Sequence, residues 1–275
     1  MFEVMDMRCP YCNSEVKDGT KFCTECGATL NAAAVQREQS LEAATNTGLV
    51  LGAAARKARL EAYVSEDQII SARAYNGILL GVLVWGLLIN VLLCYTVGDV
   101  FRYVNPVVFL IGYAVLAFAG IFIAGRSNKP LVSFLGYNMV VIPFGLVLST
   151  TVEAYGGVDS AIVTYAFLYT LVITLGMTGT ALAFPQLFSK LGGALAGVLL
   201  GLLLCEILLL LFRVEQSVSD WLVAGLFSLY IGYDVYRSQQ FAKTVDNAVD
   251  CALDIYMDIA NLFIRILRIM GRKKD

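Results

Sequence analysis

Seven polar residues punctuate the segment NAVDCALDIYMDIANLFIRILRIMG at 247–271: Asn247, Asp250, Asp254, Asp258, Asn261, Arg265 and Arg268. They recur every three or four positions, and the residues between them are apolar or aromatic, so a helix here carries one narrow polar stripe. At 100° per residue, Asp254 and Asp258 lie about 40° apart and roughly 6 Å along the axis, with their carboxylates pointing the same way. Acids at that spacing can form an ion site.

Such a helix needs a particular setting. Two aspartates at the middle of a lipid-facing span cost about 5–7 kcal/mol, whereas the Leu, Ile and Phe residues here return about 3–5 kcal/mol. The stripe is therefore expected to face protein or water, on a buried central helix. The alternative is a helix lying on the membrane surface, but such helices have a broad, Lys/Arg-rich polar face. This stripe is thin and acidic at its middle. Ionisable residues inside membranes are read as functional, and the run from acidic to basic along the segment suits the helix dipole.

The stretch from Ala252 to Phe263 (ALDIYMDIANLF), continued by Ile266-Leu267-Arg268 and Gly271, resembles the last-helix signature of the Bax inhibitor family, the transmembrane Bax inhibitor motif proteins. Tyr233-Asp234, on the preceding hydrophobic segment, matches that family's other acidic position. The resemblance covers about residues 70–275. Asp254 departs from it, since the family usually has no acid there, and a third carboxylate would alter charge or ion preference.

The resemblance implies a pH-sensitive calcium or cation leak channel or transporter gated by an aspartate pair, a role carried here onto Asp234 and Asp258. Taken alone, Asp234 reads as a helix-end residue reaching the interface, with Arg237 just beyond it. Two carboxylates in a confined, dry site cannot both ionise cheaply, so one pKa is expected to rise and the pair to share a proton. Deprotonation then creates charge that repels itself or attracts a cation, and calcium accepts irregular sets of oxygen ligands. Hairpin counting conflicts with this pairing: a turn centred near residue 242 levels Asp234 with Asp250, and only an extended connection brings Asp258 to that height. The family's basic latch has a candidate in Arg126.

Two other function classes compete. An intramembrane aspartyl protease also sets two aspartates on adjacent spans, one within Tyr-Asp, but it carries Gly-x-Gly-Asp on the other, and this chain has Tyr256-Met257-Asp258. No enzymatic activity is expected. The other class is a membrane interaction or stress-regulatory protein that recruits a cytoplasmic partner.

The means of recruitment lies at the N-terminus. Cys9-Pro10-Tyr11-Cys12 and Cys23-Thr24-Glu25-Cys26-Gly27 are paired C-x-x-C turns ten residues apart. Each supplies two thiolates, and together they complete a tetrahedron around a structural zinc with no open position for catalysis. The module resembles a bacterial zinc ribbon. Thiolate ligands imply a reducing compartment. Through Gly27 the acids Glu3, Asp6, Glu15, Asp18 and Glu25 outnumber Arg8, Lys17 and Lys21, which argues against nucleic acid. Cys94, Cys205 and Cys251 sit in apolar runs and read as small buried hydrophobes.

The whole chain, 275 residues with 58% hydrophobic content and mean hydropathy +0.71, is too apolar for a soluble domain. Its formal net charge of −2 gives no electrostatic case for nucleic acid, and with no His any proton sensing near neutral pH falls to carboxylates. Residues 1–30 are assigned to the zinc ribbon, 31–74 to a cytoplasmic linker and 75–275 to the membrane domain. That domain is expected to be an all-α bundle of seven transmembrane helices with the last one central, over about 76–98, 106–125, 131–151, 161–183, 191–213, 219–238 and 246–270. The start Met-Phe-Glu-Val-Met-Asp lacks signal-peptide character.

Basic residues collect before the first span (Arg56, Lys57, Arg59, Arg73) and on alternate links (Arg126, Lys129, Lys190, Arg237, Lys243), placing the N-terminus in the cytoplasm, with a bacterial cytoplasmic membrane expected. Seven full spans would then put Arg272-Lys273-Lys274 outside. Either the first six spans fix the topology or the last helix does not cross fully. Gly193, Gly197 and Gly201 form a ridge expected to pack closely on another helix. Glu206 reads either as a protonated structural acid or as the lining of a path on the outer side. Pro143 is expected to kink the third span.

Overall fold

The computed structural model describes residues 6–8, 15–17, 68–100, 103–125, 129–212 and 217–272. Strands β1 (Asp6–Arg8) and β2 (Glu15–Lys17) pair antiparallel, with Asp6 opposite Lys17 and Arg8 opposite Glu15. Everything after residue 71 in long regular elements is helical: α1 (Ala72–Thr96), α2 (Pro106–Gly125), α3 (Pro130–Ala154), α4 (Ala161–Ala183), the one-turn α5 (Pro185–Phe188), α6 (Gly192–Leu211), α7 (Ser217–Gln240) and α8 (Val245–Arg272). Among the described residues seven long helices overlap the seven segments expected from hydropathy, displaced by a few residues at their ends. The eighth, α5, is a single turn that hydropathy has no means of registering.

Local chemistry sets the ends. Pro106, Pro130 and Pro185 occupy first helical positions, where a missing N–H costs nothing. Asn105 Oδ1 accepts from the Val107 N–H at 2.9 Å and caps α2. After α3, Gly156 (φ 97°) and Gly157 (φ 77°) turn the chain through a left-handed region closed to most L-residues. α3 itself continues through Pro143.

Among the described residues four helices are long and apolar enough to cross a membrane: α1, α2 (over Pro106–Ile123), α3 and α4; α6 adds a shorter apolar run, Ala194–Glu206. Their outward side chains include Leu88, Val107, Phe118, Leu131 and Val172, each at least 60% exposed. A surface this apolar belongs in a bilayer, where helices satisfy their own backbone groups. Among the described residues the region from residue 72 on is all-helical and that of an integral membrane protein, and the strand pair β1–β2 precedes it.

The chain divides into two compact units, both of which take parts of α1, α2, α3 and α8. The first comprises Met1–Val82, Gly112–Val140 and Gln240–Ala252. Within it Tyr75 and Tyr137 have no exposed surface, and Tyr137 Oη donates to the Val82 carbonyl at 2.9 Å. Tyr75 Oη reaches Cys251 Sγ at 3.4 Å, and the Lys243 ammonium lies 4.5 Å above the Tyr75 ring. A side chain at Gly120 would collide with the Gly136 carbonyl, so α2 and α3 meet there.

The second unit comprises Leu83–Ile111, Val141–Gln239 and Leu253–Asp275. Its core contains Val141, Ala166, Ile231, Tyr256, Leu262 and Leu267, all without exposed surface. Two expectations are corrected here. A Cβ added at Gly197 or Gly201 would meet nothing within 4 Å, so that ridge faces outward; the close approach on α6 is made by Gly192 instead. Cys205 is exposed and Cys94 is half-buried, leaving only Cys251 as a buried small hydrophobe.

Candidate functional site

The acidic pair is positioned by α7, α8 and the link between them. Thr244 caps α8, its Oγ1 accepting the Asn247 N–H at 3.1 Å, while Asn247 Nδ2 returns to the Ala242 carbonyl at 2.9 Å. From Asp234 to the end of α7 is six residues, and from the start of α8 to Asp258 is thirteen. At 1.5 Å per residue these are about 9 and 20 Å of helix. The two arms differ by roughly 10 Å, and the four residues between them, 241–244, are not helical. The link itself is tightly folded, the Thr244 N–H donating to the Ala242 carbonyl at 3.0 Å.

Asp258 is buried, 6% exposed, and its carboxyl group is hydrogen-bonded to that of Asp234, which is half-buried on α7. A hydrogen bond between two carboxyl groups requires a proton on one of them. The other oxygen of Asp258, Oδ2, is buried and accepts no hydrogen bond. Asp254 is half-buried one turn earlier on α8, close enough to act electrostatically on Asp258. Among the described residues no three His, Cys, Asp or Glu side chains converge as a metal-holding group.

Two contacts that sequence reasoning did not find hold this pair in place. A side chain at Gly192 would collide with the Tyr233 ring, so the absence of a Cβ on α6 gives Tyr233, and Asp234 beside it, their position. On α8, Tyr256 has no exposed surface, receives a hydrogen bond from Asn90 Nδ2 and meets the Phe144 ring edge-on at 6.2 Å. Asn90 had a visible signal as an isolated amide in the apolar run GILLGVLVWGLLINVLLCYT of α1. Gly192 had none.

Further along α8 lies an ionic network. Arg265 Nη1 is 2.7 Å from Asp220 Oδ1 and 2.5 Å from Glu206 Oε1, and Arg265 Nη2 donates to Glu206 Oε2 at 2.8 Å. Arg272 lies 2.6 Å from Asp220 Oδ2. The contacts through Glu206 Oε1 and Asp220 Oδ2 are ion pairs without hydrogen-bond alignment. Glu206 is thus ion-paired with the Arg265 guanidinium. It sits in a leucine-rich run between Cys205 and Ile207, and its partner lies fifty-nine residues away in sequence.

Residues 69–275 match the family model for the inhibitor of apoptosis-promoting Bax1. That covers every helix among the described residues and every residue of the acidic pair and the ionic network. The chain belongs to the Bax inhibitor family. Residues 8–30 match a zinc-ribbon domain. Two uncharacterized proteins of Helicobacter pylori, from strains ATCC 700392 / 26695 and J99 / ATCC 700824, are each 45% identical over 53 residues, 19% of this chain and 22% of theirs. The chain thus spans about a fifth of the length of the curated relatives it matches.

This Bax inhibitor family member carries its zinc ribbon ahead of the helical region. Cys9, Cys12, Cys23 and Cys26 lie outside the described residues, as do the linker through residue 67 and Arg126. In the sequence the first C-x-x-C, Cys9 to Cys12, comes between the residues of β1 and those of β2. Two thiolates from such a turn, with two from the second C-x-x-C, form the four-sulfur donor set suited to structural zinc.

Proposed function

We propose that this Bax inhibitor family protein is a seven-span cation leak, with calcium as its cargo, gated by Asp234 and Asp258. The observation that carries this reading is the buried Asp258 carboxyl, hydrogen-bonded to Asp234 and retaining one oxygen with no partner. In the closed state one proton lies between the two carboxyl groups. Its loss leaves two negative charges in a confined site, relieved by separation of α7 from α8 or by entry of a cation. Two carboxylates form a weak site that favours release, as conduction requires. Asp254 adds negative potential beside them and favours a divalent over a monovalent ion.

The test is calcium flux into liposomes holding the full chain, followed across pH. The wild type shows a pH-dependent rate; Asp258→Asn removes the pH dependence and Asp234→Asn weakens it. Flux that is identical in both variants and in the wild type sinks the proposal.

The zinc ribbon supports a second, compatible role as a cytoplasmic docking module for a protein partner, with no enzymatic step assigned to any residue. One zinc per chain is expected in protein purified under reduction, lost in Cys9→Ser. Metal analysis finding none rejects it.

A further inference from the structure

Within the second unit a cavity of about 420 Å³ opens between α1, α3, α4 and α8, a volume typical of small-molecule sites. Its floor is made by buried side chains: Leu148 and Val152 on α3, Val163 on α4, Ile259 and Ala260 on α8. Its rim is made by residues that are strongly exposed: Val91 and Tyr95 on α1 (47% and 67%), Phe167 and Leu171 on α4 (54% and 41%). Both rim helices are among the four able to cross a membrane. A residue that lines the cavity and also faces outward marks its mouth, so the mouth opens through the apolar surface that meets lipid.

The wall offers little to a polar ligand. Thr164 and Thr170 return their hydroxyls to the carbonyls of Ser160 and Ala166. Thr174, one turn beyond Thr170, does not; its Oγ1 is buried without a partner. Asn90 Oδ1 is also without a hydrogen bond, but it lies against Gly145 on α3. Among the described residues no charged side chain lines the cavity. An empty apolar space of this size forfeits dispersion contacts along all its walls, and water finds too few partners to fill it. An aliphatic chain entering from the bilayer restores those contacts, and Thr174 offers one hydrogen bond to a neutral polar group on it.

We infer that this cavity is a lateral binding site for the aliphatic chain of a membrane lipid. The chain enters past Val91 and Leu171 and lies against Ile259 and Ala260, the two residues that follow Asp258. The site and its test are independent of any ion flux.

The experiment uses the full chain in liposomes doped with a phospholipid whose acyl tail carries a photoactivatable diazirine, with adducts mapped by peptide mass spectrometry. A parallel arm uses a free long-chain alcohol bearing the same group. Phe118 and Leu131, 74% and 78% exposed, report ordinary contact with surrounding lipid. Label on Leu148, Ile259 or Ala260, at most 8% exposed, requires entry. Deep label from the phospholipid assigns the site to acyl chains; deep label from the alcohol alone, reduced in Thr174→Val, assigns it to free single-chain amphiphiles. Leu171→Trp, at the exposed rim, is expected to cut deep labelling several-fold and leave Phe118 and Leu131 unchanged, and Ala260→Phe does the same from the floor. The inference is overturned if both probes label only the exposed positions, or if deep label persists undiminished in both variants.

Discussion

Asn90 on α1 donates its amide to the hydroxyl of Tyr256 on α8, two residues before Asp258. Both side chains are buried, 3% and 0% exposed, so the bond fixes the rotation of α8 at the point where its acids must face α7. Tyr256→Phe removes the acceptor and leaves an amide unsatisfied, a cost of about 1–3 kcal/mol. The expected outcome is a lower thermal unfolding midpoint in detergent, with Asn90→Leu plus Tyr256→Phe recovering part of the loss. A double variant worse than both singles contradicts this account.

Asp220, with no exposed surface, depends on Arg265 and Arg272 for its charge. Removing one partner of a buried pair costs about 3–5 kcal/mol, because the other charge is left behind. Arg265→Met is therefore expected to destabilise the protein strongly, stranding Glu206 and leaving Asp220 with Arg272 alone. Glu206→Gln, which leaves Asp220 paired, costs less. Equal stability of Arg265→Met and wild type would show the network to be energetically idle.

Gly192 tests the support of Asp234 from α6. Gly192→Ala introduces a Cβ into the space of the Tyr233 ring, which must move and take the neighbouring aspartate with it. Helix propensity alone makes this change favourable by up to about 1 kcal/mol, so a destabilised variant with an altered pH profile of flux isolates the steric effect. Gly197→Ala, which meets open space, is the matched control and is expected to be neutral or stabilising.

Lys243, in the link between α7 and α8, has its pKa pushed down to about 8 from 10.5 by burial, with the nearby Cys251 opposing the shift. Below about pH 8 the folded protein bears the cost of a buried ammonium. Between about 8 and 10.5 the folded state has released the proton that the unfolded chain still holds, so stability rises with pH. The unfolding midpoint is expected to climb across that interval and the climb to vanish in Lys243→Met. A midpoint falling with pH in the wild type would reverse the sign.

The sequence by itself determined the helices, the ribbon and the identity of the acids. Runs of about twenty apolar residues have one stable form in lipid, paired C-x-x-C turns have one common use, and the stripe on residues 247–271 could be buried only against protein. What it could not determine is which side chains meet across elements, because periodicity reports the face of a helix and not its neighbour. Tertiary structure set Asp234 beside Asp258, a pairing that hairpin counting does not give. It matched Glu206 to a guanidinium fifty-nine residues distant, turned the Gly197 and Gly201 ridge outward, and gave the close helix contact to Gly192. Those outcomes depend on the offset and rotation of whole helices, which are fixed by the sum of all packing contacts and are written in no local pattern.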